Sequence, residues 1–266
     1  MIVTRFAPSP TGLLHLGHAF AAFIAHESGD DFLLRIEDLD TARSRDEFIE
    51  AIYLDLKWLG LSWDEPVLRQ SRRTSAYAAA LEKLTAMGLT YPCVCTRAEI
   101  AAEIARAAEA QHGPDGPLYP GTCRHLENAP AGAPHVVRLD AAKAAALAGP
   151  LTFTEHGRTL AADPLRFGDI VLARKDLPAA YHLAVVVDDA FQNVTLVTRG
   201  EDLAPATHVQ RLLQALLGLP EPAYAHHALV LDEQGRKFSK RDQAVTLAAL
   251  RAAGATPADI RARLES

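Results

Sequence analysis

Cysteine is scarce in this chain: Cys93, Cys95 and Cys123 are its whole complement, an odd number confined to about thirty residues. That excludes a disulfide framework and leaves a metal site or three ordinary thiols. Long apolar runs are missing as well. The strictly apolar stretches are as short as Leu183–Val187, where a membrane-spanning helix needs about 20 residues, so none is expected. Positive charge is in deficit, with Lys+Arg 27 against Asp+Glu 33 and a net charge of −6, so no broad basic face advertises a nucleic acid and any such contact must be local. Met1-Ile2-Val3-Thr4-Arg5 leads into a Pro/Gly-rich stretch and lacks the apolar core of a signal peptide, which points to a cytoplasmic protein. Internal repeats and low-complexity linkers are absent too. What is present, 49% hydrophobic and 23% charged residues over 266 positions, excludes global disorder, collagen and coiled coil. At roughly 150 residues per domain, one to two domains are expected.

Ile2–Phe6 reads as a short strand ended by Ala7-Pro8-Ser9-Pro10-Thr11-Gly12, where two prolines and a glycine stop either element. A helix from about His15 carries Leu16, Phe20, Phe23 and Ile24 on one face and stops at Ser28-Gly29, and Asp31–Glu37 reads as a buried strand. Strand, helix and strand within about 35 residues begin an α/β fold with a parallel sheet. Ser44 and Glu47 are spaced as a capping box for a helix ending at Gly60, and Thr74–Met87 predicts another before Gly88. From Tyr91 to Pro134 the cysteines, histidines, prolines and glycines surround a single helix near Ala98–Ala110, which suggests an inserted subdomain continuing through strands near His135–Leu139 and Leu151–Thr154. The α/β pattern returns with Asp169–Ala173, Ala184–Asp188 and Val194–Val197 as strands and Pro205–Leu217 as a helix; Thr256-Pro257 starts a last helix. The expected division is therefore 1–90, 91–165 and 166–266.

His15-Leu16-Gly17-His18 sits where the Pro/Gly loop enters a helix. Two imidazoles at a helix N-terminus can donate to phosphate oxygens, and Gly17 lets a base or ribose approach the backbone. Far along the chain, Gly235-Arg236-Lys237-Phe238-Ser239-Lys240-Arg241 concentrates cations suited to charge developing on a triphosphate. Alone, the first is equally a cap plus a surface histidine and the second a solvated basic turn. Together they resemble the HIGH and KMSKS motifs of the class I aminoacyl-tRNA synthetases, with Leu16, Phe238 and Arg241 as mild departures. The resemblance narrows to the glutamyl branch with Arg5-Phe6-Ala7-Pro8-Ser9-Pro10-Thr11-Gly12, Arg35-Ile36-Glu37-Asp38-Leu39-Asp40, Tyr181-His182-Leu183-Ala184, Val187-Asp188-Asp189 and Arg199-Gly200-Glu201-Asp202. It implies a Rossmann-like parallel-sheet catalytic domain with an inserted zinc-bearing α+β subdomain. It also implies glutamate contacts from Arg5, Phe6, Ala7, Pro8, Ser9, Glu37, Tyr181 and Arg199, and ATP contacts from His15, Gly17, His18, Lys237, Ser239 and Lys240. Of these, His15, His18 and Lys240 would stabilise the reacting phosphates, with Mg²⁺ on the leaving group. The chemistry agrees: glutamate offers two carboxylates and an ammonium, which Arg5, Arg199 and Glu37 complement, Ser9 and Tyr181 adding hydroxyls. Taken singly, Arg35 with Asp38 is also an ordinary ion pair at a strand end, and Asp188-Asp189 a helix C-terminal turn.

Cys93-Val94-Cys95 with Cys123 supplies three corners of a tetrahedral zinc site, and general chemistry offers His125 or His112 for the fourth. The pattern Tyr119-Pro120-Gly121-Thr122-Cys123 resembles the glutamyl-Q tRNA(Asp) synthetases, shortened relatives of glutamyl-tRNA synthetase, and implies Tyr119 instead, with His125 the alternative. Only 266 − 241 = 25 residues follow Arg241, fewer than an anticodon-binding domain needs, so none is expected. The resemblance implies tRNA-independent activation of L-glutamate by ATP and its transfer to queuosine at the wobble position of tRNA(Asp), by a monomer and without a membrane. Two alternatives stand beside it: a minimal glutamyl-tRNA synthetase charging the 3′ end, and a non-catalytic synthetase-like binding protein, which would be expected to lose His15, Gly17, His18 and Lys240.

Overall fold

The computed structural model describes residues 1–106, 112–175, 177–230 and 245–265. In chain order the elements are β1 (Val3–Phe6), α1 (Leu16–Glu27), β2 (Asp31–Ile36), α2 (Asp46–Trp58), β3 (Leu68–Arg69), α3 (Thr74–Ala86), β4 (Thr90–Cys93) and α4 (Arg97–Arg106). There follow β5 (His112–Gly113), β6 (Gly116–Pro117), β7 (Val136–Leu139), α5 (Ala141–Ala148), β8 (Thr152–Glu155), β9 (Arg158–Ala161), β10 (Val171–Arg174) and α6 (Tyr181–Phe191). The chain closes with β11 (Leu196–Gly200), α7 (Ala206–Leu217), β12 (Ala223–His227), α8 (Leu247–Ala252) and α9 (Pro257–Glu265). Two compact units emerge: Met1–Arg72 with Val194–Leu203 and Pro222–Ser266, and Arg73–Asn193 with Ala204–Glu221. They are drawn differently from 1–90, 91–165 and 166–266. Composition marks where cysteine, proline and glycine gather, whereas packing sends α3, α6 and α7 to the second unit. No helix among the described residues is long and apolar enough to cross a membrane.

The first unit is the parallel α/β core. β1 pairs with β2 in parallel, Val3 opposite Asp31 and Phe6 opposite Leu34, and β2 with β3. β11 lies beside β1, the Val3 amide donating to Thr195 Oγ1 (2.9 Å) and the Thr195 amide to the Val3 carbonyl (3.0 Å), and pairs in parallel with β12. All four residues of β1 are buried, as in a parallel sheet covered on both faces. α1 presses Ala19, Ala22, Phe23 and Ala25 into this core, and Thr4 Oγ1 donates to the Ala25 carbonyl (2.6 Å). Gly29 permits the return to β2: a Cβ there would stand 2.7 Å from Thr4 Oγ1 and 2.9 Å from the Asp31 carbonyl oxygen. The Ser44–Glu47 capping box does not form. Arg45 is the N-cap of α2; the Ser44 amide closes a turn on the Asp40 carbonyl (2.8 Å), and its hydroxyl is buried with no hydrogen-bond partner among the described residues. Thr256 and Asp259 do cap α9 reciprocally. Within α2, Asp55 is fully buried and takes the Arg251 guanidinium of α8.

In the second unit β4, β7 and β10 form an antiparallel sheet in the order β10-β7-β4. β8 and β9 make a hairpin whose turn residues His156 and Gly157 both have positive φ (46° and 74°). Ala184–Asp188 is not a strand but the middle of α6. A short apolar run does not distinguish a buried strand from a buried helix, and here Leu183 to Val186 are packed on every side. Asp188, likewise buried, receives Arg73 Nε (2.6 Å) and the Tyr77 hydroxyl (2.7 Å), which docks α3 on α6. Gly218, at φ +66°, ends α7 in the left-handed region. The helix expected over Ala98–Ala110 is described as Arg97–Arg106, and the rest of the expected span lies outside the described residues.

Candidate functional site

In the first unit the predicted residues collect at the ends of parallel strands, where open α/β sheets bind ligands. The loop after β1 is held by its carbonyls, since Pro8 and Pro10 have no N–H to give: Glu37 donates its amide to Pro8 (3.1 Å) and Arg45 to Pro10 (3.1 Å). This places Glu37 beside the segment Arg5–Ser9, of which Phe6 and Pro8 are buried and Ser9 is exposed. Arg35, fully buried, approaches Glu37 Oε1 at 3.9 Å, while Asp38 accepts from Arg69 Nε (2.9 Å) and from the amide and hydroxyl of Ser71 (2.8 Å each). Arg5 is buried and its Nη1 donates to the Thr198 carbonyl (3.0 Å) across to β11. Arg199, buried on β11, donates from Nε to His226 Nε2 (3.1 Å).

His15 is the N-cap residue of α1, in an extended conformation, and its amide donates to His18 Nδ1 (3.2 Å). The rings lie 3.8 Å apart, tilted by 45°. With Gly17 between them, the two imidazoles and the first amides of a 12-residue helix share one end, the arrangement that favours an anion. Leu14 anchors the turn: it is fully buried and its carbonyl accepts the Leu247 amide (2.8 Å), while His15 and Thr246 form an isolated bridge. Tyr181 stands in the second unit as the first residue of α6, its ring 5.3 Å from that of His182. Lys237, Phe238, Ser239, Lys240 and Arg241 lie outside the described residues.

The cysteines converge in the second unit. Their three Sγ atoms all lie within 4.8 Å of one another, with Cys95 and Cys123 3.3 Å apart. The Tyr119 hydroxyl closes the group, 3.3 Å from Cys93 Sγ, 3.7 Å from Cys95 Sγ and 2.9 Å from the Cys123 amide that donates to it. Tetrahedral zinc with bonds of about 2.3 Å to sulfur and about 2.0 Å to oxygen would set S···S near ~3.8 Å and O···S near ~3.5 Å, so these donors fit such an ion. His125 and His112 are exposed, and neither contributes to the donor group found among the described residues. Burial and the hydrogen bond with Cys123 push the Cys95 thiol up to about 11, and burial with the Cys93 contact pushes the Tyr119 hydroxyl upward. Burial also opposes a Cys123 thiolate, but hydrogen bonds from Tyr119, Cys95 and the Val94 amide outweigh it and bring that thiol down to about 7. Without a cation the cluster thus accommodates little negative charge, a conflict that a coordinated divalent ion resolves.

Three features escaped the sequence reading. Asp169 is buried: its Oδ2 receives Tyr91 (2.5 Å) and Arg124 (3.0 and 2.7 Å), its Oδ1 the Ala141 amide (2.9 Å), and its carbonyl Arg138 Nη1 (2.7 Å). It therefore clamps the residue after Cys123 to the strand bearing Cys93. His226 and the Asp55–Arg251 pair were missed for the same reason: partners separated by 27 and 196 residues leave no local pattern.

A parallel sheet with this histidine-flanked helix start defines a class, and residues 1–264 match the family described as tRNA synthetases class I (E and Q), catalytic domain. The chain belongs to that family of ligases. It is 47% identical to the glutamyl-Q tRNA(Asp) synthetase of Rhodobacter capsulatus, the match covering 98% of each chain. It is also 40% identical to the glutamate–tRNA ligase of Aquifex aeolicus, over 96% of this chain and 55% of that protein. Among solved structures it resembles the glutamate-tRNA synthetase of Elizabethkingia anophelis, with a TM-score of 0.71 at 30% identity over 91% of this chain; it spans about half of that molecule, 53%.

Proposed function

We propose that this chain activates L-glutamate with ATP in the absence of tRNA and transfers the glutamyl group to the cyclopentene-diol of queuosine at the wobble position of tRNA(Asp). The observation that carries the reading is the 47% identity, along 98% of both chains, to a relative bearing the glutamyl-Q tRNA(Asp) synthetase name. In the first step a glutamate α-carboxylate oxygen attacks the α-phosphorus of ATP, the bond to the bridging oxygen breaks, and pyrophosphate leaves. Arg5 and Arg199 hold the substrate carboxylates, and Glu37 the ammonium. Phe6, Ala7, Pro8 and Ser9 border the amino acid, and Tyr181 contributes a hydroxyl. His15 and His18, at the positive end of α1, meet the phosphates together with Gly17, Lys237, Ser239 and Lys240. Mg²⁺ arriving with ATP supplies charge neutralisation on the leaving pyrophosphate. In the second step a queuosine hydroxyl attacks the activated carbonyl, loses its proton, and AMP departs. No side chain serves as a covalent nucleophile; positioning and charge stabilisation carry both steps.

Cys93, Cys95, Tyr119 and Cys123 would hold one structural zinc, supported by the donor spacing above. Metal analysis of protein purified without added zinc is expected to give about one zinc per chain, and a ratio near zero removes the site. The function itself is tested by offering glutamate and ATP with either queuosine-containing tRNA(Asp) or unmodified tRNA(Glu). Labelling of the first alone is expected; labelling of the second alone favours 3′-end charging, the reading that the 40% identity to a glutamate–tRNA ligase supports. ATP–pyrophosphate exchange that fails with glutamate alone would leave a binding protein.

A further inference from the structure

His226 has no assigned part in the proposed chemistry, yet the sheet aims it at Arg199. β11 and β12 run in parallel with Arg199 and His226 as direct partners, and side chains of directly paired residues project from the same face of a sheet. Tyr224, two residues earlier on β12, shares that face. Its buried ring is parallel to the His226 ring within 2° at 6.1 Å, and the Arg199 guanidinium carbon lies 5.6 Å from the Tyr224 ring. Arg199 is therefore bordered by an aromatic ring and bonded at Nε by the imidazole, 3.1 Å away. A guanidinium only donates, so His226 Nε2 must accept and the ring carries its proton on Nδ1. A single bond at Nε fixes the plane of the fork and with it the direction of both terminal NH₂ groups.

We infer that His226 is the positioning residue for glutamate recognition: by accepting from Arg199 Nε, it sets the guanidinium orientation that a substrate carboxylate must meet. This rests on the proposed role of Arg199 as a glutamate contact. His226 itself touches neither substrate nor phosphate in this scheme. Its effect belongs in glutamate affinity rather than turnover, because binding energy lost equally from ground and transition states raises KM and leaves kcat unchanged.

The test compares His226→Phe, which keeps a flat ring beside Tyr224 but removes the acceptor, with His226→Gln, which keeps an acceptor. In glutamate-dependent ATP–pyrophosphate exchange, His226→Phe is expected to raise the glutamate KM about ten-fold or more, the scale of a lost hydrogen bond to a charged group, with kcat and the ATP KM nearly unchanged. His226→Gln should recover most of the loss. A second readout needs no substrate: the Arg199 Nε–H signal in nitrogen-15 NMR should be protected from exchange in wild type and in His226→Gln, and lost in His226→Phe. An unchanged glutamate KM in His226→Phe, equal impairment of both variants, or an Arg199 signal that persists in His226→Phe overturns the inference. Wild-type protein without any exchange activity would instead overturn the functional reading, and the NMR comparison would still decide the role of His226.

Discussion

Arg251→Met probes a buried ion pair of the first unit. Asp55 is fully buried in α2, and among the described residues its only partner is the Arg251 guanidinium, its second carboxylate oxygen having none. Methionine keeps most of the aliphatic stem near Trp58 while removing the charge. Removing one partner of a buried pair costs about 3–5 kcal/mol, because the other charge is left in a poor solvent. The Arg251 side chain is 27% exposed, so water already reaches one end of the pair and the lower figure, about 3 kcal/mol, applies. That corresponds to a fall in melting temperature of about 6–12 °C. The pH dependence has a definite sign. Burial raises the Asp55 pKa, against the opposing effect of Arg251, so the folded state holds the proton more tightly than the unfolded chain. A carboxyl of this kind favours folding when protonated and loses that contribution as pH rises through its folded value. Without Arg251 the folded value rises further, so the mutant should be distinctly weaker than wild type at about pH 7.5 and recover part of the difference at about pH 5. Urea unfolding at both pH values measures this. Replacing both residues, Asp55→Leu with Arg251→Met, should return much of the stability, since apolar substitution of a whole buried pair is often neutral. A loss below about 1 kcal/mol, or one equal at the two pH values, refutes the reasoning.

Four further outcomes are expected. Tyr119→Phe should weaken zinc retention against a chelator while His125→Ala does not, and the reverse ranking would move the fourth ligand to the histidine. Lys240→Ala should slow adenylate formation by about 10²–10³, the scale of a removed charge-stabilising group, and a wild-type rate would discharge Lys240 from that role. Asp169→Asn should lower stability by about 2 kcal/mol and hasten zinc release, because the hydrogen bonds from Tyr91 and Arg124 would meet a neutral amide; unchanged melting and zinc kinetics would make the clamp inconsequential. Gly29→Ala should cost about 2 kcal/mol by thermal melting, since the new methyl would stand 2.7 Å from Thr4 Oγ1 and 2.9 Å from a backbone oxygen.

Much of this protein is written in local order. β1, α1 and β2 announce themselves through the spacing of Phe20, Phe23 and Ile24 and the punctuation of Pro8, Pro10 and Gly29, and they appear close to the expected boundaries. Membership of the synthetase family was likewise readable, because its motifs are contiguous stretches whose chemistry depends on neighbours in the chain. Cys93, Cys95 and Cys123 could be proposed as donors from residue type and spacing, which offered His125 or His112 for the last position; Tyr119 entered only through the family resemblance.

Packing decided the rest. The apolar run in Ala184–Asp188 satisfies strand and helix alike until its neighbours bury it on all sides. Asp38 turned to Arg69 and Ser71, not to Arg35, because β2 and β3 pair side by side. The Tyr119 hydroxyl took its place among the sulfurs, and His226 its place against Arg199, through contacts 24 to 27 residues apart. Residue types and local periodicity determine which elements form and which chemistry is available, since both depend on residues within a few turns. Which side chain meets which is settled only when separate strands and helices share one interior, because hydrogen bonds and ion pairs depend on distance in space and not on distance along the chain.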